Sequence, residues 1–386
     1  MKQYLSGDEA FAAGIRLARP EVISAYPITP QTIVVERLSD MVEDGNLDAE
    51  FIHVESEHSA LSCAIGASAA GVRTFTATSS QGLLYMAEGL VYASGGRFPI
   101  VMMNANRSTA LPWNIYGDQR DSLALLDTGW IQAYAQDAQE ALDLALMSYY
   151  IAEKEDVSTP FMVNLDGFIL THTYEEVDVP EQADADAFLP RYETENCFDL
   201  EHPKNMAFSA GPDTNYIFKY KEHAALLRAV PAIYEAEERF AKIFGRRYTG
   251  LIETYRTEDA DQILITLGTI AGLSREIADE LRAKGKKVGV VRIRYMRPFP
   301  TQEIADAVKG AKAVAVLEKD ISFGAAGTVF TNVTSALQAA GISIPAYNFI
   351  GGLGGRNISH KDIERIFALT ERGTERVTFI GLEGER

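Results

Sequence analysis

Short apolar runs rich in β-branched and aromatic residues alternate with longer amphipathic stretches from residue 20 to about residue 170. The apolar runs predict strands at VISAY (22–26), FIHVE (51–55), TFTATS (74–79), PIVMMNA (99–105), WIQAYA (130–135) and FMVNL (161–165). The stretches between them predict helices at TIVVERLSDMVEDG, EHSALSCAIGASAAG, GLLYMAEGLVYASGG and AQEALDLALMSYYIAEK. Strands that alternate with helices are typical of a parallel sheet covered on both faces. The pattern therefore predicts a doubly wound α/β domain.

The pattern changes near residue 172, where the sequence becomes acidic and proline-bearing before it resumes as a helix at EHAALLRAVPAIYEAEERFAKIFG. A second α/β series begins at QILITLGTIAG and ends near IPAYNFIGGLGGRN. We therefore predict a first domain over residues 1–245, whose part from about 172 to 245 is an irregular and helical excursion. A linker over 246–260 and a smaller α/β domain over 261–386 follow, in keeping with a chain too long for one core.

The charge balance narrows the class of partners. The chain carries 36 lysines and arginines against 54 aspartates and glutamates, a formal net charge of −18. Because this balance repels phosphate backbones and anionic lipid surfaces, we expect neither nucleic acid nor a membrane as a partner. No run reaches the roughly 18 apolar residues of a membrane span. Ser6 followed by Glu9 indicates a capping box at the start of a helix, not a secretory signal, so we expect a cytoplasmic protein.

Cysteine and histidine spacing gives no metal motif. Cys63 and Cys197 are the only cysteines, and neither lies in a CxxC pair. This chain alone therefore predicts no zinc site, no iron–sulfur cluster and no disulfide framework. We also find no histidine spacing for a metal and no Ser/His/Asp arrangement with a recognisable local context, so we expect no metal ligands here.

Four successive predicted strands end in clusters of polar or unusual residues. Open α/β sheets bind ligands at the carboxyl ends of their strands. Taken singly, the clusters could be a turn with a proline at a helix start, first-turn residues, a helix cap and a surface ion pair. Their coincidence on one edge of one sheet favours a ligand site. The clusters are Tyr26-Pro27-Ile28-Thr29-Pro30, Glu55-Ser56-Glu57-His58, Thr78-Ser79-Ser80-Gln81-Gly82 and Asn104-Ala105-Asn106-Arg107-Ser108.

The residue types at this edge limit its chemistry. Glu57 supplies a carboxylate at a predicted helix N-terminus, and Arg107 supplies a guanidinium. An arginine suits a substrate carboxylate because it can form two parallel hydrogen bonds to it. A single glutamate suits proton transfer with a heterocycle.

Several segments in order along the chain resemble the α subunit of the 2-oxoacid:ferredoxin oxidoreductases, a family that includes the pyruvate and 2-oxoisovalerate enzymes. The resemblance implies a pyrimidine-binding thiamine diphosphate domain followed by a transketolase C-terminal-like domain. It further implies a separate β subunit that binds the diphosphate and Mg²⁺. The GDG-then-asparagine motif of such a metal site is missing here. The resembling segments are AYPITPQT, VESEHSALSCAIGASAAGVRTFTATSSQGL, NRS, NIYGDQRDSLALLDTGWIQAYA, LDGFILTHT, TYRTEDADQILITLGTIAG, YMRPFP and GLGGRN.

The resemblance also implies roles for individual residues. Glu57 matches the glutamate that hydrogen-bonds the pyrimidine N1′, and it is the implied catalytic residue. Thr29 of the YPITP segment (residues 26–30) approaches the substrate, and Arg107 faces the substrate carboxylate. The prolines of this segment restrict φ on either side of Ile28 and Thr29, which would hold the hydroxyl in place. The remaining implied contacts to the cofactor are Tyr26, Pro27, Ile28, Ser80 and Gln81.

The implied activity is oxidative decarboxylation of a 2-oxoacid, with pyruvate as the family's main substrate, to an acyl-CoA and CO₂. Coenzyme A is the implied co-substrate. Electrons leave through [4Fe-4S] clusters to ferredoxin or another acceptor. Since this chain has two cysteines, the clusters would lie on partner chains, the γ and ferredoxin-like δ subunits.

Three alternatives stay open. Trp113 and Tyr116 stand where the pyruvate-type pattern differs, and they are either core residues or the lining of a pocket for a bulkier aryl or branched 2-oxoacid. The chain could instead be a structural subunit that keeps the fold without a working site, although Glu57, Thr29 and Arg107 are intact. A transferase of the transketolase type would need its own diphosphate motif, which this sequence lacks.

Overall fold

Two mainly parallel sheets covered by helices form the protein in a computed structural model that describes residues 1–382. The strands are β1 (Lys2–Ser6), β2 (Val22–Ala25), β3 (Glu50–His53), β4 (Thr74–Thr78), β5 (Val101–Asn106), β6 (Ile131–Tyr134), β7 (Phe161–Asp166), β8 (Tyr174–Asp178), β9 (Ile252–Tyr255), β10 (Gln262–Leu267), β11 (Val288–Ile293), β12 (Tyr295–Arg297), β13 (Ala313–Glu318), β14 (Ala346–Ile350) and β15 (Val377–Phe379).

Helices connect most of these strands, and a short 3₁₀ helix spans Leu353–Gly355. The α-helices are α1 (Gly7–Ala18), α2 (Thr32–Glu43), α3 (Glu57–Ala69), α4 (Ser80–Tyr85), α5 (Ala87–Gly95), α6 (Arg120–Leu123), α7 (Ala138–Ala152), α8 (Gln182–Phe188), α9 (Pro212–Phe244), α10 (Ile270–Ala283), α11 (Thr301–Val308), α12 (Thr328–Ala339) and α13 (His360–Arg372). Within the described residues, none of these helices has the length and apolar character that a membrane span requires.

The first sheet has the strand order β12-β6-β7-β5-β4-β2-β3, and all its strands run parallel except β12. The central strands β4, β5 and β7 are buried along their whole length, because helices cover both faces. One face packs against α1, α2, α7 and α9, and the other against α3, α4 and α5. This confirms the doubly wound α/β domain, and each predicted strand lies within two residues of an observed one.

The start of the first domain follows from local sequence. Ser6 caps α1, because its hydroxyl accepts a hydrogen bond from the Glu9 amide at 3.3 Å while Glu9 Oε2 accepts one from the Ser6 amide at 3.1 Å. The predicted capping box is therefore confirmed. The strand β1 before it was not predicted, and it pairs antiparallel with β8, which lies within the predicted irregular excursion.

The second sheet has the order β15-β14-β13-β10-β11-β9, with β9 antiparallel to β11 and the other pairs parallel. Helices α10 and α13 cover one face, and α11 and α12 cover the other. The segment 246–260, predicted as a linker, contains the edge strand β9. The strand β12 follows β11 in sequence but joins the first sheet beside β6.

Buried ion pairs join the two domains. Glu140 on α7 accepts hydrogen bonds from Arg292 on β11 at 2.6 and 3.0 Å and from Arg294 at 2.7 Å. Arg294 also pairs with Glu237 on α9. These contacts fix the second domain against the helices of the first domain.

Candidate functional site

The carboxyl ends of β2, β3, β4 and β5 lie at one edge of the first sheet, because these strands are parallel neighbours. The YPITP segment follows β2, and Glu57 begins α3 after β3. Ser80 and Gln81 begin α4 after β4, and Arg107 follows β5. The structure therefore places the sequence-predicted clusters side by side.

Hydrogen bonds join Arg107 to two other predicted positions, Thr29 and Gln81. Its side chain is almost fully buried, with 5% of its surface exposed. Nη1 donates a hydrogen bond to the backbone carbonyl of Thr29 at 2.8 Å, and Nη2 donates one to Gln81 Oε1 at 3.3 Å. Burial lowers the pKa of Arg107, while the negative charges of Asp121 and Glu57 raise it. Arg107 is thus held between the ends of β2 and β4, with Glu57 close enough to act on its charge.

The YPITP segment is fixed by a residue that was not singled out from the sequence. The buried side chain of Gln31 donates hydrogen bonds from Nε2 to the carbonyls of Tyr26 and Ala77, at 3.0 and 3.1 Å. The backbone N–H of Gln31 also donates a hydrogen bond to the carbonyl of Ile28 at 2.9 Å. Tyr26 and Thr29 are exposed. The exposed residues of the segment therefore rest on a side chain buried beneath them.

Ser80 begins α4 in an unusual backbone conformation. Its φ of 52° lies in the left-handed region, which non-glycine residues rarely adopt. The Ser80 hydroxyl lies 2.6 Å from the carbonyl of Ser108 and 2.7 Å from Gln81 Oε1. Gln81 Oε1 therefore accepts a hydrogen bond from the Arg107 guanidinium and lies within hydrogen-bonding distance of the Ser80 hydroxyl, whose single proton it shares with the Ser108 carbonyl. These bonds connect the ends of β4 and β5.

Glu57 is the first residue of α3, whose start is capped by the Ser56 hydroxyl. A carboxylate at this position is favoured by the helix macrodipole. The side chain lies against Gly82, where an added Cβ would meet Glu57 Oε1 at 2.7 Å and Thr78 Oγ1 at 2.6 Å. Within residues 1–382 the half-buried Glu57 carboxylate has no hydrogen-bond partner. It is an acceptor that remains available to a ligand.

Asp121 is a central residue of this edge that the sequence did not reveal. It is fully buried on α6, and its carboxylate accepts five hydrogen bonds. Burial raises its pKa to about 6, against the opposing effect of these bonds. The sequence around it, GDQRDSL, resembles an ordinary polar loop, and only the fold brings Asp121 to the strand ends. The five donors are the amides of Ser80, Arg107 and Ser122 and the side chains of Asn104 and Asn106.

Trp113 and Tyr116 are not core residues, because 67% and 53% of their surfaces are exposed. The ring centroid of Trp113 lies 6.0 Å from the Arg107 guanidinium carbon. Tyr116 packs against Phe168, with ring centroids 5.2 Å apart, and next to Gly355 of the second domain. Asn114 between them donates a hydrogen bond to the carbonyl of Gly354 at 2.8 Å. The second domain thus anchors the loop that carries Trp113.

Two family models match the chain. The model described as "Pyruvate flavodoxin/ferredoxin oxidoreductase, thiamine diP-bdg" matches residues 13–238. The model described as "Pyruvate:ferredoxin oxidoreductase core domain II" matches residues 260–363. The two matches cover most of the first and second sheets.

Curated relatives match almost the whole chain. Pyruvate synthase subunit PorA of Methanothermobacter thermautotrophicus is 48% identical over 99% of this chain and 98% of its own length. The PorA subunit of Pyrococcus furiosus is 44% identical over 100% and 99%. Ketoisovalerate oxidoreductase subunit VorA of Pyrococcus horikoshii is 42% identical over 95% and 93%. The similarity thus extends to relatives named for two different substrates.

A solved structure has the same fold. The 2-oxoglutarate:ferredoxin oxidoreductase from Magnetococcus marinus, with 2-oxoglutarate, coenzyme A and succinyl-CoA bound, superposes with a TM-score of 0.73. The match covers 95% of the present chain and 65% of the longer one, at 21% identity. At this identity the comparison supports the fold alone.

Proposed function

Because the chain belongs to the α-subunit family of the 2-oxoacid:ferredoxin oxidoreductases, we propose that it supplies the pyrimidine half of a thiamine diphosphate site. The reaction joins a 2-oxoacid and coenzyme A into an acyl-CoA, with release of CO₂, one proton and two electrons to an acceptor. Pyruvate is the proposed substrate, supported by several PorA relatives at 44–48% identity. The sequence-based prediction of a cytoplasmic location stays a prediction.

One observation carries this proposal: the Glu57 carboxylate, which has no hydrogen-bond partner in residues 1–382, and the buried guanidinium of Arg107 share one edge of the sheet. Glu57 sits at a helix N-terminus beside Gly82, where the absence of a side chain leaves room at the carboxylate. Arg107 Nε is also buried without a protein partner among the described residues. An acceptor and a donor without partners among the described residues, at one edge of the sheet, suit a nitrogen heterocycle and a carboxylate, respectively.

The residues of the site fit thiamine diphosphate in this way. Glu57 would accept a hydrogen bond from the aminopyrimidine ring and hold the proton that passes between carboxylate and ring. The remaining contacts to the cofactor would come from Tyr26, Pro27, Ile28, Ser80 and Gln81. When bound, the cofactor supplies the electron sink that decarboxylation of a 2-oxoacid requires.

Arg107 and Thr29 would bind the substrate. The guanidinium already uses Nη1 and Nη2 on Thr29 and Gln81, so its orientation is fixed before a ligand arrives. Such a preset donor loses little side-chain freedom on binding a carboxylate. The exposed Thr29 side chain lies on the segment that Gln31 holds rigid.

The other half of the site would come from a β subunit that binds the diphosphate and Mg²⁺. The relatives are themselves named subunits. The only Gly-Asp pairs in the chain, Gly7-Asp8 and Gly117-Asp118, are followed by Glu9 and Gln119 and so lack the diphosphate motif. The two cysteines cannot hold [4Fe-4S] clusters, so we assign these to γ and δ subunits that pass electrons to ferredoxin.

An exposed apolar face on α4 and α5 supports docking of that β subunit. Leu84, Tyr85, Val91 and Tyr92 are all exposed, and Tyr85 packs near His58, the neighbour of Glu57. Their ring centroids are 5.7 Å apart. Contiguous apolar surface beside a functional residue is typical of a subunit interface. A partner docked here would border Glu57 and could close the cofactor site.

A bulkier 2-oxoacid is the second candidate substrate. The VorA relative is named as a subunit of a ketoisovalerate oxidoreductase. The exposed ring of Trp113 beside Arg107 favours a larger substrate side chain, because aromatic surface would be buried on binding.

The decisive experiment uses the complex purified with its partner subunits. Glu57→Gln should lower pyruvate- and coenzyme A-dependent dye reduction by about 10²- to 10⁴-fold, the range for loss of a proton-transferring group. Glu55→Gln is the matched control, since this exposed carboxylate lies two residues before Glu57 and accepts its hydrogen bond from the Ser59 hydroxyl. Near-normal turnover by the Glu57 variant rejects its role. A wild-type complex without thiamine diphosphate supports a structural subunit.

A further inference from the structure

The carboxylate of Asp121 connects two strand ends of the candidate site without touching the guanidinium of Arg107. Oδ2 accepts hydrogen bonds from the amides of Ser80 and Arg107, both at 3.1 Å. Oδ1 accepts one from Asn106 Nδ2 at 2.7 Å and one from the Ser122 amide at 2.8 Å. The side chain of Asn104 adds a fifth donor at 3.3 Å. Four of the five donors therefore come from the ends of β4 and β5, and the fifth, the Ser122 amide, comes from α6 itself.

Two of the three backbone amides that bond Asp121, those of Ser80 and Arg107, belong to residues whose side chains are part of the candidate site. Ser80 has a φ of 52°, and a left-handed backbone at a serine persists only where its surroundings fix it. Its hydroxyl and the Arg107 guanidinium converge on Gln81 Oε1. Asp121 therefore fixes the backbone at both positions from which these side chains reach Gln81.

Asp121 also differs from the neighbouring acid on the same loop. Asp118 is equally buried, but it pairs with the Arg120 guanidinium at 2.9 Å. Asp121 bonds only backbone and side-chain amides, so it places a negative charge near Arg107 without using any donor of the guanidinium. A direct ion pair would have consumed those donors.

We propose that Asp121 is the positioning residue of the substrate-carboxylate site, holding the backbone of Arg107 and Ser80 so that the guanidinium faces the 2-oxoacid. This inference rests on the proposed function, in which Arg107 binds the substrate carboxylate. Asp121 itself contacts neither substrate nor cofactor.

Asp121→Asn, assayed in the assembled complex, tests the inference. The substitution keeps the shape of the side chain but replaces an acceptor oxygen with a donor, so at least one amide loses its partner. We expect the KM for pyruvate to rise by about tenfold, with the KM for coenzyme A unchanged. Asp143→Asn is the matched control, because Asp143 is a buried aspartate bonded to Arg246 and Tyr248 on the opposite face of the sheet.

A double variant separates positioning from general destabilisation. If Asp121 acts through Arg107, Asp121→Asn should change the KM for pyruvate less than about twofold in an Arg107→Ala background. A full tenfold effect in that background overturns the inference, as does an equal rise in the KM for coenzyme A.

A second variant covers the case in which Asp121→Asn does not assemble. Asn106→Ala removes one of the five donors and leaves the carboxylate in place, and it should raise the KM for pyruvate by a smaller factor. An unchanged KM in this assembled variant also overturns the inference. If the wild-type complex holds thiamine diphosphate and oxidises pyruvate while these variants behave normally, only this inference fails. A wild-type complex purified without thiamine diphosphate would instead contradict the proposed function itself.

Discussion

Arg107 Nη1 donates a 2.8 Å hydrogen bond to the backbone carbonyl of Thr29, which joins the end of β5 to the YPITP segment after β2. These two residues lie 78 positions apart in the chain. The bond presets the guanidinium, since one of its edges is already occupied by the protein. Nε is buried and has no partner among the described residues. A substrate carboxylate would therefore meet an arginine whose rotamer has been selected in advance.

Arg107→Ala should raise the KM for pyruvate by about 10- to 100-fold, because a charge-assisted hydrogen bond contributes about 1.5–3 kcal/mol. Arg107→Lys should fall between the wild type and the alanine variant, since lysine keeps the charge but loses the planar fork. Initial rates at varied pyruvate, with bound thiamine diphosphate measured in parallel, give the result. Equal losses of cofactor and of substrate affinity would contradict a substrate role.

Gly82→Ala should impair the site at Glu57, the proposed cofactor-binding residue. The new Cβ would lie 2.7 Å from Glu57 Oε1 and 2.6 Å from Thr78 Oγ1, so the carboxylate would have to move. We expect weaker thiamine diphosphate binding and at least a tenfold loss of turnover, because small displacements of a catalytic group cost about 10²-fold. Cofactor titration of the purified complex measures this.

Gly66→Ala is the matched control for that substitution. Gly66 lies on the exposed side of α3, the helix that Glu57 begins, and an added Cβ would meet nothing within 4 Å. Alanine is favoured over glycine within a helix, so this variant should be at least as stable as the wild type. If both variants lose cofactor equally, the clash with Glu57 is not the cause.

Trp113→Ala should change substrate preference more than overall activity. The Trp113 ring is exposed and lies beside Arg107, where it could contact the side chain of a bound 2-oxoacid. We expect the kcat/KM ratio of 2-oxoisovalerate or phenylglyoxylate to pyruvate to fall by about 3- to 10-fold, as for loss of apolar contacts in a pocket. Tyr4→Ala, an exposed aromatic on β1, serves as the control. An unchanged ratio would show that Trp113 does not contact the substrate side chain.

The sequence was sufficient to predict those strands that are buried on both faces. TFTAT and VMMNAN lie at the centre of the first sheet and form continuous buried runs between helices, which local patterns reveal. The strands β1 and β8 were missed because they form a polar, two-stranded ribbon whose partners are about 170 residues apart. The strand β12 was missed for a similar reason, since it leaves its own domain to pair with β6.

The same distinction applies to the candidate site. The candidate residues that could be predicted all lie within four residues of the end of a recognisable strand, namely Thr29, Glu57, Ser80, Gln81 and Arg107. Gln31 and Asp121 could not, since their importance depends on hydrogen bonds to residues far away in the chain. Asp121 lies in a loop whose local composition predicts only exposure, yet the fold buries it completely.

Glu140 should make the domain interface sensitive to acid. Burial opposes its ionisation, but Arg292 and Arg294 outweigh that effect and lower the pKa of Glu140 from 4.5 to about 2. Its stabilisation is therefore fully present above pH 4.5 and is lost as the pH falls from 4.5 towards 2. Glu140→Gln should cost about 3 kcal/mol or more at pH 7, because two buried arginines would lose their carboxylate.

Denaturant unfolding of wild type and variant at pH 7, 5 and 3 would measure this effect. The difference between the two proteins should be largest at pH 7 and 5 and should shrink at pH 3, where part of the wild-type advantage has been titrated away. Glu364→Gln is the control, since its ion pair with Lys284 lies at the surface and should contribute nothing measurable. A difference that stays constant down to pH 3 would mean that Glu140 acts through packing, because only the loss of its charge makes the stabilisation depend on pH.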